Sequence, residues 1–210
     1  MRTKTLVCAA ILAAGLASSM AQSNVYSLNV VGYYNVVIPA GQKKLVANQL
    51  HTTNDVLTTI LPGPYGDGTT FFYFNNGFSG ANWDTDANEW DNNFNLPIGT
   101  GGFLFSQSLQ TFTFVGEVEQ GSLTNKLKKL SKVIAGSQVP IPVMLNDPST
   151  AGLIGEDGDT IFAFNNGFSG ANYDTDAGAW DQSLSNNVGS AWFIYKQGSQ
   201  TNWVQNFTVQ

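Results

Sequence analysis

Apolar residues alternate with polar ones over short spans along most of this chain, and Gly, Asn and Pro cut the spans apart. Such a period-two pattern predicts strands and hairpins instead of helices. Val25 to Val31, Asn35 to Ile38 and Lys44 to Asn48 read as strands, broken by Gly32 and by Pro39-Ala40-Gly41. After the turn Gly66-Asp67-Gly68, Thr70 to Phe74 reads as a strand with Phe72 and Phe74 on one face. Phe112 and Phe114 alternate with threonines, as in a strand with one dry face. One helix is expected. Thr53-Asn54-Asp55 would cap it, Val56, Leu57, Ile60 and Leu61 share a face, and Pro62-Gly63 stops it within two turns.

The pattern also recurs. Residues 74–91 read FNNGFSGANWDTDANEWD and residues 164–181 read FNNGFSGANYDTDAGAWD, differing only at Trp83/Tyr173, Asn88/Gly178 and Glu89/Ala179. A repeat of this length argues for two copies of one supersecondary unit. Each copy can fold into a hairpin around Thr85 to Asn88 and its counterpart, with Trp83 opposite Trp90, Asp84 opposite Glu89, and Tyr173 opposite Trp180. Cross-strand aromatic pairs of this kind add roughly 0.2–1 kcal/mol. Further on, Gly101 to Phe105 is matched with Gly189 to Ile194, and Gln110 to Val115 with Asn202 to Val209. Val115-Gly116-Glu117-Val118 echoes Val31-Gly32-Tyr33-Tyr34, so residues near 112–118 are read as closing one unit and opening the next. The expected fold is all-β, with two tandem homologous antiparallel units, sandwich- or barrel-like, packed together and each with at most one short helix. Their expected spans are 22–113 and 114–210.

Residues 1–21 set the compartment. Arg2 and Lys4 precede an apolar run from Leu6 to Leu16, and Ser19-Met20-Ala21 ends the segment. That is the layout of a secretory signal peptide, too short to span a bilayer. Cys8 follows Val7 at the start of the apolar run, which argues against a lipoprotein anchor. Export is therefore expected, to the periplasm, the cell surface or the medium. Past residue 21 the chain has no cysteine and no arginine, and its 15 acids face seven lysines. Thiol catalysis and guanidinium phosphate clamps are excluded, and nucleic acid is a poor partner for so acidic a chain. No later segment is apolar enough for an integral membrane span. The basic run Lys126 to Lys132 reads as the wet face of a strand, because Leu127 alternates with Lys126 and Lys128.

Three stretches carry a resemblance: YSLNVVGYYNVVIPAG at 26–41, FTFVGEVEQGSL at 112–123, and D-x-D-A-x-x-W-D at 84–91 and 174–181. With these the chain resembles a group of secreted two-repeat β proteins of planctomycete- and verrucomicrobia-type bacteria. The likeness covers nearly the whole chain beyond the signal peptide. It implies the two-unit architecture and no activity.

The repeated phrase holds the candidate chemistry. Asp84, Asp86 and Asn88, with Asp174 and Asp176 in the second copy, open like a calcium loop. A calcium loop needs Gly sixth and a bidentate acid twelfth, where this chain has Glu89 and Asn95, or Ser185 in the second copy. Calcium is kept only as a metal reading of Asp84, Asp86, Asp174 and Asp176, beside the plainer one of Asx-turn hydrogen bonds. A glycosidase pair, Asp84 with Asp91, lacks the contrast of environments that separates acid from base. His51 is the only histidine and reads as a solvated loop residue. No residue is assigned as catalytic. Trp83, Trp90, Tyr173 and Trp180, with Asn82, Asp91, Asn172 and Asp181 to bond hydroxyls, form the candidate ligand set for a carbohydrate, against the simpler reading of core aromatics. The leading expectation is a non-catalytic structural, adhesive or surface-associated protein, with a carbohydrate-binding module as the alternative. Partners on this reading are further copies of the chain paired through edges at Val25 to Val31 and Val204 to Val209, other envelope or extracellular proteins, or glycans.

Overall fold

The computed structural model describes residues 30–199 and 201–209. The expected signal peptide, Cys8 and the expected strand segment 25–29 lie outside them. The described chain is almost wholly β, with antiparallel pairing in all its ladders. β1 (Val30–Ile38) pairs along its whole length with β7 (Gln110–Val118) as a two-stranded ribbon. Next come β2 (Gln42–Ala47), the single helical turn α1 (Leu57–Ile60), β3 (Thr70–Phe74), β4 (Phe78–Asp84), β5 (Glu89–Trp90) and β6 (Gly101–Ser106). The strands of this stretch form a five-stranded sheet ordered β2-β6-β3-β4-β5. The second half opens with β8 (Gly121–Lys126), β9 (Lys132–Ala135), β10 (Val143–Met144), β11 (Thr160–Phe164) and β12 (Phe168–Asp174). It closes with β13 (Ala179–Trp180), β14 (Ser185–Asn186), β15 (Trp192–Tyr195) and β16 (Asn202–Phe207). Here the five-stranded sheet is β9-β15-β11-β12-β13 and the ribbon is β8-β16, with a short β10-β14 pairing beside them. The two sheet orders are the same when read from β2 and from β9. Neither sheet closes, so the barrel alternative does not hold.

Three sequence expectations need correction. Gly32 does not break its strand but sits in the middle of β1 opposite Gly116. A Cβ at Gly116 would collide with the His51 carbonyl, so glycine there lets the Leu50–His51 segment cross the ribbon at close range. The short helix is not capped by Thr53-Asn54-Asp55. Instead Thr52 and Asp55 exchange bonds, Thr52 N–H donating to Asp55 Oδ1 at 2.7 Å and Asp55 N–H to Thr52 Oγ1 at 3.0 Å. The first helical N–H groups are taken by the loop after β5, Leu57 N–H by Phe94 O and Thr58 N–H by Asn93 Oδ1. Phe103 and Phe193 occupy the same register against β3 and β11, so Gly99 to Phe105, and not Gly101 to Phe105, corresponds to the segment opening at Gly189, which runs to Tyr195, ninety positions on. β7 runs unbroken through residues 113 and 114, and β8 pairs with β16.

The hairpins form in the expected register. Trp83 stands opposite Trp90 and Tyr173 opposite Trp180, edge to face at centroid separations of 5.5 and 5.4 Å. That geometry aligns positive ring edge with negative ring face.

Three apolar clusters support the sheets. Ile38, Leu61, Phe71, Leu104 and Phe112 are among those filling the first half, and Ile161, Trp192, Ile194 and Trp203 the second. A third joins the halves, with Leu45, Ala47 and Phe103 meeting Ile134, Ala191 and Phe193. Neighbouring residues on one strand therefore serve different cores. Phe71 and Leu104 face inward, while Phe72 and Phe103 face the opposite half. Each fully buried side chain of this kind contributes about 1.5–3 kcal/mol. The halves also exchange backbone bonds reciprocally. Ala47 N–H donates to Gly189 O at 3.0 Å, and Gly136 N–H to Gly99 O at 2.9 Å. Gly101 and Gly136 lie at this crossing, where a Cβ would strike Val46 O or Ala47 Cβ respectively.

Candidate functional site

The outer parts of the two sheets separate into a cleft of about 700 Å³. Its lining comes from corresponding positions in the two halves: Phe72 with Phe162, Phe78 with Phe168, Phe103 with Phe193, Lys43 with Lys132, and in addition Phe74. The register fixes these correspondences, since Lys43 lies opposite Phe105 and Lys132 opposite Tyr195 on equivalent strands. The phenylalanines interlock across the divide. Phe74 meets Phe193 at 4.8 Å and Phe164 meets Phe103 at 5.1 Å, both edge to face. Phe78 and Phe168, at the tips of the two FNNGF turns, lie 6.4 and 6.3 Å from the same two central rings. Phe103 and Phe193 form the buried floor, whereas Phe78 and Phe168 are 54% and 58% exposed.

Local sequence explains the placement. In Asn75-Asn76-Gly77, Asn76 takes a left-handed φ of 58° and Asn75 N–H reaches Gly77 O at 2.9 Å. Asn166 repeats this at 56°. Asparagine tolerates that region better than most residues. Each tight turn brings Phe74 opposite Phe78 and Phe164 opposite Phe168 on the cleft side. Lys43 places its Nζ over two rings, 5.0 Å from the centroid of Phe103 and 5.4 Å from that of Phe164. No acid lines the cleft, and neither Lys43 nor Lys132 makes an ion pair among the described residues.

This cleft was missed by sequence reasoning, although a signal existed. Thr70 to Phe74, Gly101 to Ser106 and Thr160 to Phe164 are apolar on both faces. A sheet that is apolar on both faces must be covered on both. Phe78 and Phe168 also stand at the same place in both copies of the repeated phrase.

The residues singled out from sequence lie elsewhere. Trp83, Trp90 and Trp180 are buried, so no indole face is free for a sugar. Trp90 Nε1–H donates to Leu61 O at 2.8 Å, and Tyr65 covers Trp83 edge-on at 5.0 Å. Tyr173 is the half-buried exception. It and Trp180 border a cavity of about 290 Å³ with Asn146 and Gly155, where the second half has no counterpart of Tyr65. Asn82 and Asp91 bond each other, through Asn82 N–H at 2.7 Å and its amide at 3.0 Å. Asn172 and Asp181 repeat this clasp at 2.8 and 3.1 Å. Donation from Asn172, backbone first and side chain second, holds the Asp181 carboxyl below the usual carboxylate range, the opposite of what a general acid needs. Asp84 Oδ1 accepts the N–H groups of Asp86 and Ala87, and Asp174 Oδ1 those of Asp176 and Ala177. These are Asx-turns, with Asp86 and Asp176 exposed beyond them. No group of three or more metal-ligating acids, histidines or cysteines occurs among the described residues. His51 sits on the surface, its Nδ1 2.9 Å from Asp55 Oδ2.

No protein-family model, curated protein or solved structure matches this chain. No helix among the described residues is long and apolar enough to cross a membrane.

Proposed function

We propose that this chain is an exported, non-catalytic β protein that acts by binding, as a structural or surface-associated module, and that the cleft between its two sheets is its binding surface. One observation carries the reading: seven phenylalanines line a cavity of about 700 Å³ and two of them are left more than half exposed at its mouth. That volume lies in the range of small-molecule sites, which are mainly apolar with a few polar groups. Exposed apolar patches of this kind mark binding surfaces. The test is titration with an uncharged environment-sensitive dye such as N-phenylnaphthylamine. The native chain should bind it with blue-shifted emission, and Phe78→Ser with Phe168→Ser should abolish binding at an unchanged Tm. A native chain that leaves the dye dark, or a double variant that binds it equally, would refute the reading.

Two further binding modes have an observation each. Val31, Tyr33, Val37 and Val115 form an exposed apolar face on the β1-β7 ribbon, which suits pairing between copies of the chain. A strictly monomeric protein over a wide concentration range in sedimentation would count against that mode. For a glycan, the second hairpin offers an opening at Tyr173. Oligosaccharide should then perturb Tyr173 and Trp180, and a Tyr173→Ala variant with unchanged glycan binding would remove this mode.

A further inference from the structure

We infer that the cleft selects an apolar carboxylate, a fatty-acid-like anion whose tail lies among the phenylalanines and whose charge sits on Lys43 or Lys132. This rests on the reading of the cleft as the binding surface and names the ligand class it takes. Charge is the argument. The chain is acidic, net −6, yet among the described residues the charged groups lining the phenylalanine cleft are two lysines, at corresponding positions on the two sheets. Neither has an acidic partner among the described residues.

Aromatic walls by themselves would suit a cation, through the negative faces of the rings. Here that position is already taken, because the Lys43 ammonium lies over Phe103 and Phe164. Both lysines are exposed at the cleft's rim, so a cationic ligand would meet like charge there, whereas an anion would find a cation beside the apolar wall. A neutral apolar ligand would fill the same volume but leave both lysines unused. Because the lining repeats, a single carboxylate can engage either lysine in opposed orientations, with one ligand per chain.

The experiment is calorimetric titration of the signal-free chain with dodecanoate, dodecanol and dodecyltrimethylammonium, each below its aggregation limit. Dodecanoate should bind one to one, and Lys43→Gln with Lys132→Gln should weaken it about tenfold, the size of one charge-assisted contact. Dodecanol should bind more weakly and be indifferent to the lysine changes, and the ammonium should not bind. If dodecanol binds as tightly as dodecanoate and the lysine variant changes neither, the anion selectivity falls while the cleft stands. Preference for the ammonium also overturns the inference alone. If no amphiphile binds, or Phe78→Ser with Phe168→Ser leaves dodecanoate unaffected, both the inference and the reading of the cleft fail.

Discussion

Lys196 is a lysine with no exposed surface, and what surrounds it shows how one position is solved differently in the two halves. Its ammonium is paired with the buried Asp159 and donates to Ile154 O at 2.8 Å. Asp159 in turn accepts N–H bonds from Gln197, Gly198 and Glu156. At the corresponding place in the first half stand Ser106 and Thr69, held by neutral bonds to Gln110 Oε1 at 3.3 and 3.4 Å. Nothing in Tyr195-Lys196-Gln197 marks this lysine as different from a surface one; only the strand topology places it against Asp159. Lys196→Met should cost about 3–5 kcal/mol in urea unfolding, because it strands a buried carboxylate. Adding Asp159→Leu should recover part of that and no more, since three backbone N–H groups then lose their acceptor. Tyrosines give the residue-scale pH dependence. Burial pushes the Tyr34 phenol far above its usual value, against the pull of the Gln49 N–H, and pushes Tyr65 up to about 12. Their pKa is raised in the folded state, so their contribution is intact below the unfolded value of 10.0 and is lost as pH rises through it toward 12 and beyond. Alkaline titration should therefore show stability falling from about pH 10, less steeply in Tyr34→Phe, and an equal slope in that variant would count against this assignment.

The hairpins are the elements most legible in the sequence, because a four-residue loop and an alternating pattern leave one register that pairs aromatic with aromatic. Their turns explain one of the differences between the copies. Asn88 has φ 55° and Gly178, its counterpart, φ 64°. Asn88→Gly should therefore leave the first hairpin intact, whereas Asn88→Val should cost about 1–2 kcal/mol for forcing a β-branched residue into the left-handed region. Thermal unfolding of the two variants checks this; equal losses would mean the turn is not held in that conformation. The helix was legible only in its apolar face. Its N–H partners Asn93 and Phe94 lie more than thirty positions away, so no local cap could reveal them.

At the scale of the molecule, the strand alternation reads correctly for each half and says nothing about which face meets which. Local pattern assigns Phe72 and Phe74 to one side; only the repeat of that assignment at Phe162 and Phe164 implies that two such sides close on each other. The outcome is three clusters for two halves, with the middle one belonging to both. That arrangement has a consequence for cooperativity. A first half cut after Gln120 would keep its ribbon and its inner core but expose Phe72, Phe74 and Phe103, and would lose the reciprocal bonds to Gly189 and from Gly136. It should bind apolar dye strongly and associate, while the chain from residue 22 onward melts in a single calorimetric transition with matching van't Hoff enthalpy. Gly136→Val, which would drive a side chain into Ala47 and Ser190 O at the crossing, should lower that transition or split it in two while leaving each hairpin's own pairing untouched. Two resolved transitions in the native chain would mean that the shared phenylalanine layer is too weak to couple the halves. The cleft would then be a gap between two independent bodies and no longer a formed site.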